Sequence, residues 1–320
     1  MSPADPLSDV LRVLRVGGSL VLHERYAAPW AVEVPGAARL ADLTRAAPDQ
    51  VVAFHLVREG WLHLVDDRGA TVRAGAGDLL VSFGGAPHQL RCGAGARPQP
   101  LERLMGMDGE PPCPTDAAGD GTTLVCGVFS IGTLGTSPLA DGLPPTVHVP
   151  CGAGEDFDAL AGLLAAEVDA RRPGWEFAVT RLLELLCAEA LREVARTAPT
   201  DDPSWLRALA DPPVLAAMAA VHGDPAREWD VAALGRVAAL SPSRLTARFR
   251  TTLGQSPMGY VTLWRMIVAS ELLIETDLPV QLVAERVGYT AQPSFTRAFT
   301  RHHGVSPREH RTVARSARHH

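Results

Sequence analysis

Arginine carries the basic chemistry of this 320-residue chain, which holds 30 basic residues and no lysine. A guanidinium is a planar fork that grips two acceptors at once, so phosphate oxygens and the O6/N7 edge of guanine are its natural targets. Two short runs combine such groups with hydroxyls. In residues 243–252, Leu245 and Phe249 stand one helical turn apart and turn inward, leaving Arg244, Ala247, Arg248 and Arg250 on other faces. In residues 292–301, Phe295 and Phe299 take the same inward positions. The chain also holds five cysteines, Cys92, Cys113, Cys126, Cys151 and Cys187. Their odd number and irregular spacing speak against a disulfide framework and for a reducing compartment. No charged-then-apolar leader opens the chain, and no apolar run reaches the ~20 residues of a membrane helix. A cytoplasmic protein without a membrane partner is expected.

Each run follows a short amphipathic segment and a turn. Residues 230–240 put Val231, Leu234 and Ala238 on one face, and Ser241-Pro242 then supplies an N-cap with proline at the first helical position. Residues 280–287 and the turn Gly288-Tyr289-Thr290 repeat the arrangement about 50 residues later. A short helix, a tight turn and a polar, basic second helix are what a major-groove reader requires. Residues 257–275 predict a spacer helix of about 28 Å, suited to recognition helices that enter successive groove turns about 34 Å apart. Charge divides accordingly. Residues 204–320 hold 14 Arg against 9 acidic residues, a net of +5, while residues 1–203 sum to -11. Only the C-terminal part suits a polyanion.

The run VAERVGYTAQPSFTRAFTRHHGVSPREHR resembles the signature of AraC-type (AraC/XylS) regulators, and WDVAALGRVAALSPSRLTARFRTTLGQSPMGYVTLWRMIVASELL resembles the preceding unit of the same domain. Together they cover residues 204–311. The resemblance implies a seven-helix domain on asymmetric double-stranded DNA sites near promoters, with RNA polymerase as a further partner of an activator. By position it implies that Ser243, Arg244, Thr246 and Ala247 face bases from the first recognition helix, with Arg250 at the backbone. From the second, Gln292, Ser294 and Arg297 face bases and Arg301 lies near phosphate. Arg297 can fork onto guanine or clamp a phosphate. Three residues depart from the family pattern. Ala247 stands where many relatives carry a polar reader, Pro293 removes a donor from the second helix's first turn, and His310 replaces the more usual tyrosine before Arg311.

The N-terminal half has another texture. Short β-rich runs at 19–23, 30–34, 51–57, 61–65, 78–83 and 124–129, divided by Gly, Pro and Asp, predict a barrel or sandwich. FHLVREG and GDLLVSFGGAPHQL resemble the paired strand motifs of cupin barrels, and with APWAVEVP they resemble the cupin-type sensors of one branch of the regulator family. In metal-bearing cupins the first motif supplies HxH and Glu, and the second supplies His. Val57 occupies the second position of the pair here, leaving His55, Glu59 and His88. No cofactor is required. A transition metal held by His55 and His88 with Cys92 and Cys126 is one possibility, and imidazoles bonded to a ligand or a neighbour are the other. The resemblance implies a small effector in the barrel, with Trp30, Phe54, His55, Trp61 and His88 as candidate pocket residues that could equally be core.

From residue 155 helices take over, with Phe157, Leu160, Leu164 and Val168 on one face. Residues 177–194 follow, with Leu182, Leu183, Leu186, Ala190, Leu191 and Val194 in a wide stripe. They either pair two copies or cover the barrel. The segment 107–121 reads as a loop and 197–204 as a linker. The expected architecture is multidomain: a cupin-like β-barrel sensor (1–150), helical linker and dimerisation elements (151–203), and an all-α domain with two helix-turn-helix motifs (204–320). The expected function is an effector-controlled, sequence-specific DNA-binding transcription regulator, a homodimer and not an enzyme. The alternatives are an oxygenase-like cupin metalloenzyme with an accessory DNA-binding domain, or a regulator switched through its cysteines or a metal, Arg91 preceding Cys92.

Overall fold

The computed structural model describes residues 5–14, 17–44, 51–83, 85–107, 121–131, 143–197 and 203–316. Residues 17–131 and 143–197 of this set cluster as one unit, and residues 5–14 with 203–316 as another. The chain opens with α1 (Pro6–Leu14), a member of the second unit.

The first unit runs β1 (Gly17–Ala27), β2 (Trp30–Val34), α2 (Ala37–Thr44), β3 (Val51–Glu59), β4 (Trp61–Val65), β5 (Thr71–Gly75), β6 (Leu79–Ser82), β7 (His88–Cys92), β8 (Gln99–Pro100), α3 (Leu101–Leu104), β9 (Gly121–Ser130) and β10 (Thr146–Val149), then α4 (Glu155–Ala170) and α5 (Trp175–Thr197). Two five-stranded sheets form, ordered β1-β9-β3-β6-β10 and β5-β4-β7-β2-β8. They share one core: Ala53, Val57, Leu124 and Val128 of the first sheet meet Val32, Leu62, Leu64 and Leu90 of the second. Strand β3 is buried at every position from Val51 to Val57. An alternating strand buries one face only, so a continuous apolar run needs cover on both. Helix α5 packs on other strands of the same sheet, β1, β9 and β10. It comes so close that a Cβ on Gly18 would lie 2.4 Å from Leu183 Cβ.

Each strand expected from the sequence forms. The structure adds β5, β7, β8 and β10, which are five residues or fewer, and the short helices α2 and α3. Strand β7 did carry a signal, since His88, Leu90 and Cys92 alternate as buried positions. Most of the expected 107–121 loop, most of the 197–204 linker, and Cys113 lie outside the described residues.

The second unit continues with α6 (Trp205–Leu209), α7 (Pro212–Gly223), α8 (Val231–Val237), α9 (Pro242–Leu253), α10 (Pro257–Glu275), α11 (Val280–Arg286), α12 (Gln292–His303) and α13 (Pro307–Ser316). Local chemistry sets most of its boundaries. Ser204, Asp211, Asp230, Ser241 and Ser256 each accept a backbone N–H of the helix they precede. Gly254 and Gly304, at φ 71° and 74°, end α9 and α12. Among the described residues eight helices therefore stand where the resemblance implied seven. A ninth, α1, joins them by packing on α7 and α10 through its buried Leu7 and Val10. Its apolar partners lie in the helical unit, and the helix itself falls within the stretch 1–150 that the sequence assigns to the sensor.

Asp9 of α1 also reaches His222 of α7, Oδ2 to Nδ1, at 3.2 Å. The His222 ring stacks on Trp264 at 3.5 Å, and its Nε2 lies 2.6 Å from the Tyr260 hydroxyl. Burial pushes this imidazole down to about 4 despite the Asp9 carboxylate. Below the unfolded-state value of about 6.5, the unfolded chain takes up a proton that the folded chain refuses. Stability is therefore lost as pH falls from about 6.5 towards 4, by up to about 3 kcal/mol from this group. Urea titrations at stepped pH are expected to show the loss, with a shallower slope in His222→Gln. Equal slopes in variant and parent would remove His222 as the source.

Candidate nucleic-acid interface and barrel cavity

In α9 the buried Leu245 and Phe249 fix the helix against the unit's core. Ser243, Arg244, Ala247 and Arg250 are exposed, while Thr246 is half-buried and donates its hydroxyl to the Pro242 carbonyl at 2.8 Å. Arg248 has another occupation. Its Nε lies 2.9 and 2.7 Å from the two carboxylate oxygens of Asp211, which also caps α7 and accepts from Thr252. Arg248 thus ties α9 to α7, a role hidden from sequence because the partner lies 37 residues earlier.

Helix α12 repeats the design. Phe295 and Phe299 are fully buried, Gln292 is half-buried, and Ser294, Arg297 and Arg301 are exposed. Arg297 Nη2 donates to Ser294 Oγ at 3.3 Å, a weak contact that leaves most of the guanidinium unspent. Pro293 sits in the first turn, and no side chain caps that end. The turn before α12 needs its glycine: Gly288 has φ 82°, and a Cβ there would lie 2.7 Å from the Ala226 carbonyl oxygen.

Both helices contact the long helix α10. Two more arginines hold this frame. Arg265 donates to the Pro225 and Arg227 carbonyls at 2.8 Å each, and Arg311 donates to the Leu273 and Leu278 carbonyls at 3.0 and 2.6 Å. His310 packs, with Nε2 2.8 Å from Ser270 Oγ and its ring edge on Phe299.

The barrel interior contains an apolar cavity whose free volume is about 20 Å³, room for roughly one water molecule. Its walls include Tyr26, Val32, His55, Leu90, Leu104 and Cys126. Of the five residues expected to line a pocket, only His55 does so. Phe54 is on the opposite face of β3, stacked on Phe129 at 4.6 Å, as period-2 alternation requires of adjacent residues. Trp30 is core, its Nε1 3.4 Å from Thr122 Oγ1. Trp61 is half-buried beneath the Arg73 guanidinium. His88 stands behind His55, Nε2 to Nε2, at 2.8 Å.

A resident metal does not fit this pair as placed. Two nitrogens about 2.0–2.1 Å from a tetrahedral zinc lie about 3.3 Å apart, whereas these two are hydrogen-bonded. Glu59 is turned to Arg25 at 2.9 Å. Cys126 faces His55 across the β3–β9 register, but Cys92 pairs with Trp30 and does not line the cavity. The described residues contain no cluster of three or more His, Cys, Asp or Glu arranged for a metal. Burial pushes the Cys126 thiol up to about 12, which leaves it protonated and a poor target for oxidants at neutral pH.

Comparisons with known proteins also divide the chain in two, with residues 5–14 counted in the N-terminal part. A Cupin family model matches residues 5–196, and a Helix-turn-helix domain model matches residues 234–312. A putative AraC-like transcription regulator of Streptomyces antibioticus is 33% identical over 312 residues, 96% of this chain and 98% of that protein. The HTH-type transcriptional regulator AlkR of Acinetobacter baylyi is 28% identical over 96% of this chain and 99% of its own. Among solved structures, the DNA-binding domain of AdpA in complex with a target DNA is 29% identical, with 34% of this chain and 96% of that one covered and a TM-score of 0.32. Among the described residues no helix is long and apolar enough to cross a membrane.

Proposed function

Because this chain belongs to the AraC-type transcription regulators, with a cupin N-terminal domain and a DNA-binding helix-turn-helix domain, we propose that a small effector bound inside its barrel sets how a homodimer engages an operator. The observation that carries the DNA contacts is the repeated build of α9 and α12. Each is anchored by two buried apolar side chains and offers a polar, arginine-bearing face to solvent. Ser243, Arg244, Thr246 and Ala247, with Gln292, Ser294 and Arg297, meet base edges; Arg250 and Arg301 meet phosphates. RNA polymerase is the further partner where the site lies beside a promoter. The cytoplasm is the compartment, and the barrel binds rather than catalyses.

Pairing of two copies is supported by α4 and α5. Helix α5 buries one face on the barrel and α4 packs on α5, yet Leu163, Phe177 and Leu185 remain 58%, 73% and 52% exposed. Large apolar side chains left in water on neighbouring helices suit an interface. The double substitution Phe177→Glu/Leu185→Glu is expected to sediment as a monomer at concentrations where the parent is a dimer. A parent that is monomeric at the same concentrations, or a variant that still dimerises, removes this face from the proposal.

The test of the whole reading is selection of genome fragments on purified protein, followed by footprinting at several salt concentrations. The expected result is protection of about 20 base pairs, at an affinity at least about 10³-fold above background. Binding without sequence preference that vanishes with modest salt is counterion release alone and overturns the reading.

A further inference from the structure

We propose that the barrel cavity takes a small, uncharged, mainly apolar molecule bearing a single hydrogen-bond donor, a hydroxyl above all, which His55 Nδ1 accepts. This rests on the effector reading above and narrows it to a ligand chemistry.

The walls come first. Val32, Leu90, Leu104, Leu124 and their neighbours make the lining aliphatic, and no charged side chain among the described residues belongs to it. A carboxylate, phosphate or ammonium would lose its water there without gaining a partner, and a polyol would leave most of its hydroxyls unpaired. Among the polar groups of the lining is the His55 imidazole. His55 Nδ1 is buried with no hydrogen-bond partner, a desolvation cost that stands until something fills it.

The proton inventory behind it fixes what that partner must be. A carbonyl oxygen only accepts, so the contact of His88 Nδ1 with the Ala86 carbonyl, long at 3.4 Å, favours the His88 proton on Nδ1. His88 Nε2 is then a bare lone pair, and across the 2.8 Å contact His55 Nε2 must donate to it. With its proton committed there, His55 presents a lone pair at Nδ1. Burial holds both rings below the usual imidazole range, so neither carries a second proton at neutral pH. A ketone, an ether or a plain hydrocarbon leaves Nδ1 unmet, whereas an alcohol or a phenol meets it.

The cavity at about 20 Å³ is smaller than such a ligand, so binding must widen it. The walls carried by helices rather than strands are Leu40 of α2 and Leu101 and Leu104 of α3. These are two short helices joined by the Arg39–Glu102 ion pair at 2.9 Å.

The experiment is calorimetric titration of the full chain with two matched series: phenol, anisole and benzene, and cyclohexanol, methoxycyclohexane and cyclohexane. In each series the hydroxyl compound is expected to bind about tenfold or more tighter than the ether and the hydrocarbon. His55→Leu is expected to level each series. His88→Leu removes the acceptor that holds the His55 proton at Nε2, so the ether should gain on the alcohol, a reversal that loosened packing would not produce. Ether and alcohol of equal affinity in the parent overturn the proposal, as do a hydroxyl preference that survives His55→Leu and the absence of saturable binding by either hydroxyl compound. If a variant fails to fold, the parent comparison decides alone. Operator affinity measured with each compound separates the two readings. Preferred alcohol binding that leaves operator affinity unchanged supports the cavity chemistry and removes its role as the switch. A switch driven equally by ether and alcohol overturns the cavity chemistry and keeps the effector.

Discussion

Replacing Arg297 with alanine is expected to weaken the operator complex by about 1–3 kcal/mol and to relax sequence preference at one base pair. The guanidinium is exposed on α12, one turn before Arg301, and its only intramolecular contact among the described residues is the 3.3 Å bond to Ser294. A fork so little used keeps its donors for guanine O6 and N7. Arg301→Ala is expected to behave differently, weakening all sequences alike and lowering the salt slope by about one. Arg244 on α9 is exposed in the same way. The two sites share no partner, so Arg297→Ala/Arg244→Ala is expected to lose about 2–6 kcal/mol, close to the sum of the single losses. Fluorescence anisotropy on the footprinted site and on single-base variants, at two salt concentrations, decides the matter. If Arg297→Ala loses affinity equally on every sequence, the residue is a phosphate clamp.

A larger effect on stability is expected from Phe299→Ala, about 3–5 kcal/mol. Phe299 is fully buried and sits in one cluster with Phe295, Met266, Leu273 and Val283. It also touches the rings of His303 and His310. Phe295 and Phe299 are the buried residues of α12, so losing one leaves the second recognition helix with half its anchorage. Urea unfolding should show the loss, and footprints should shrink to the half-site read by α9. A change below about 1 kcal/mol would mean that the neighbouring rings close the cavity, and that α12 is held by its turn chemistry instead.

The two recognition helices were legible because their determinants are local. An N-cap serine, a first-turn proline, a turn glycine and two apolar residues four apart all lie within about a dozen positions of sequence. The barrel strands were legible where apolar runs were long, as in β3, and missed where they were short, as in β5 and β10. The cavity was the least legible part. Phe54 and His55 are adjacent in sequence, and the two faces of β3 look alike because both are buried. Only the sheet order and α5 decide which face is the inside. Trp30 and Trp61 were candidate pocket residues through the resemblance, but the pocket is small and mainly aliphatic and neither lines it. The arginines that brace the helical unit were invisible for the same reason, since Arg248 and Arg265 bond to groups 37 to 40 residues away.

The placement of α1 has a consequence for dissecting this protein. The barrel is threaded between two pieces of the helical unit, so in sequence it is an insertion, tethered at both ends. A fragment that starts at residue 203 lacks Leu7, Val10 and the Asp9 partner of His222. A permuted fragment, with residues 5–14 spliced through a flexible linker onto residues 203–316, restores the missing helix.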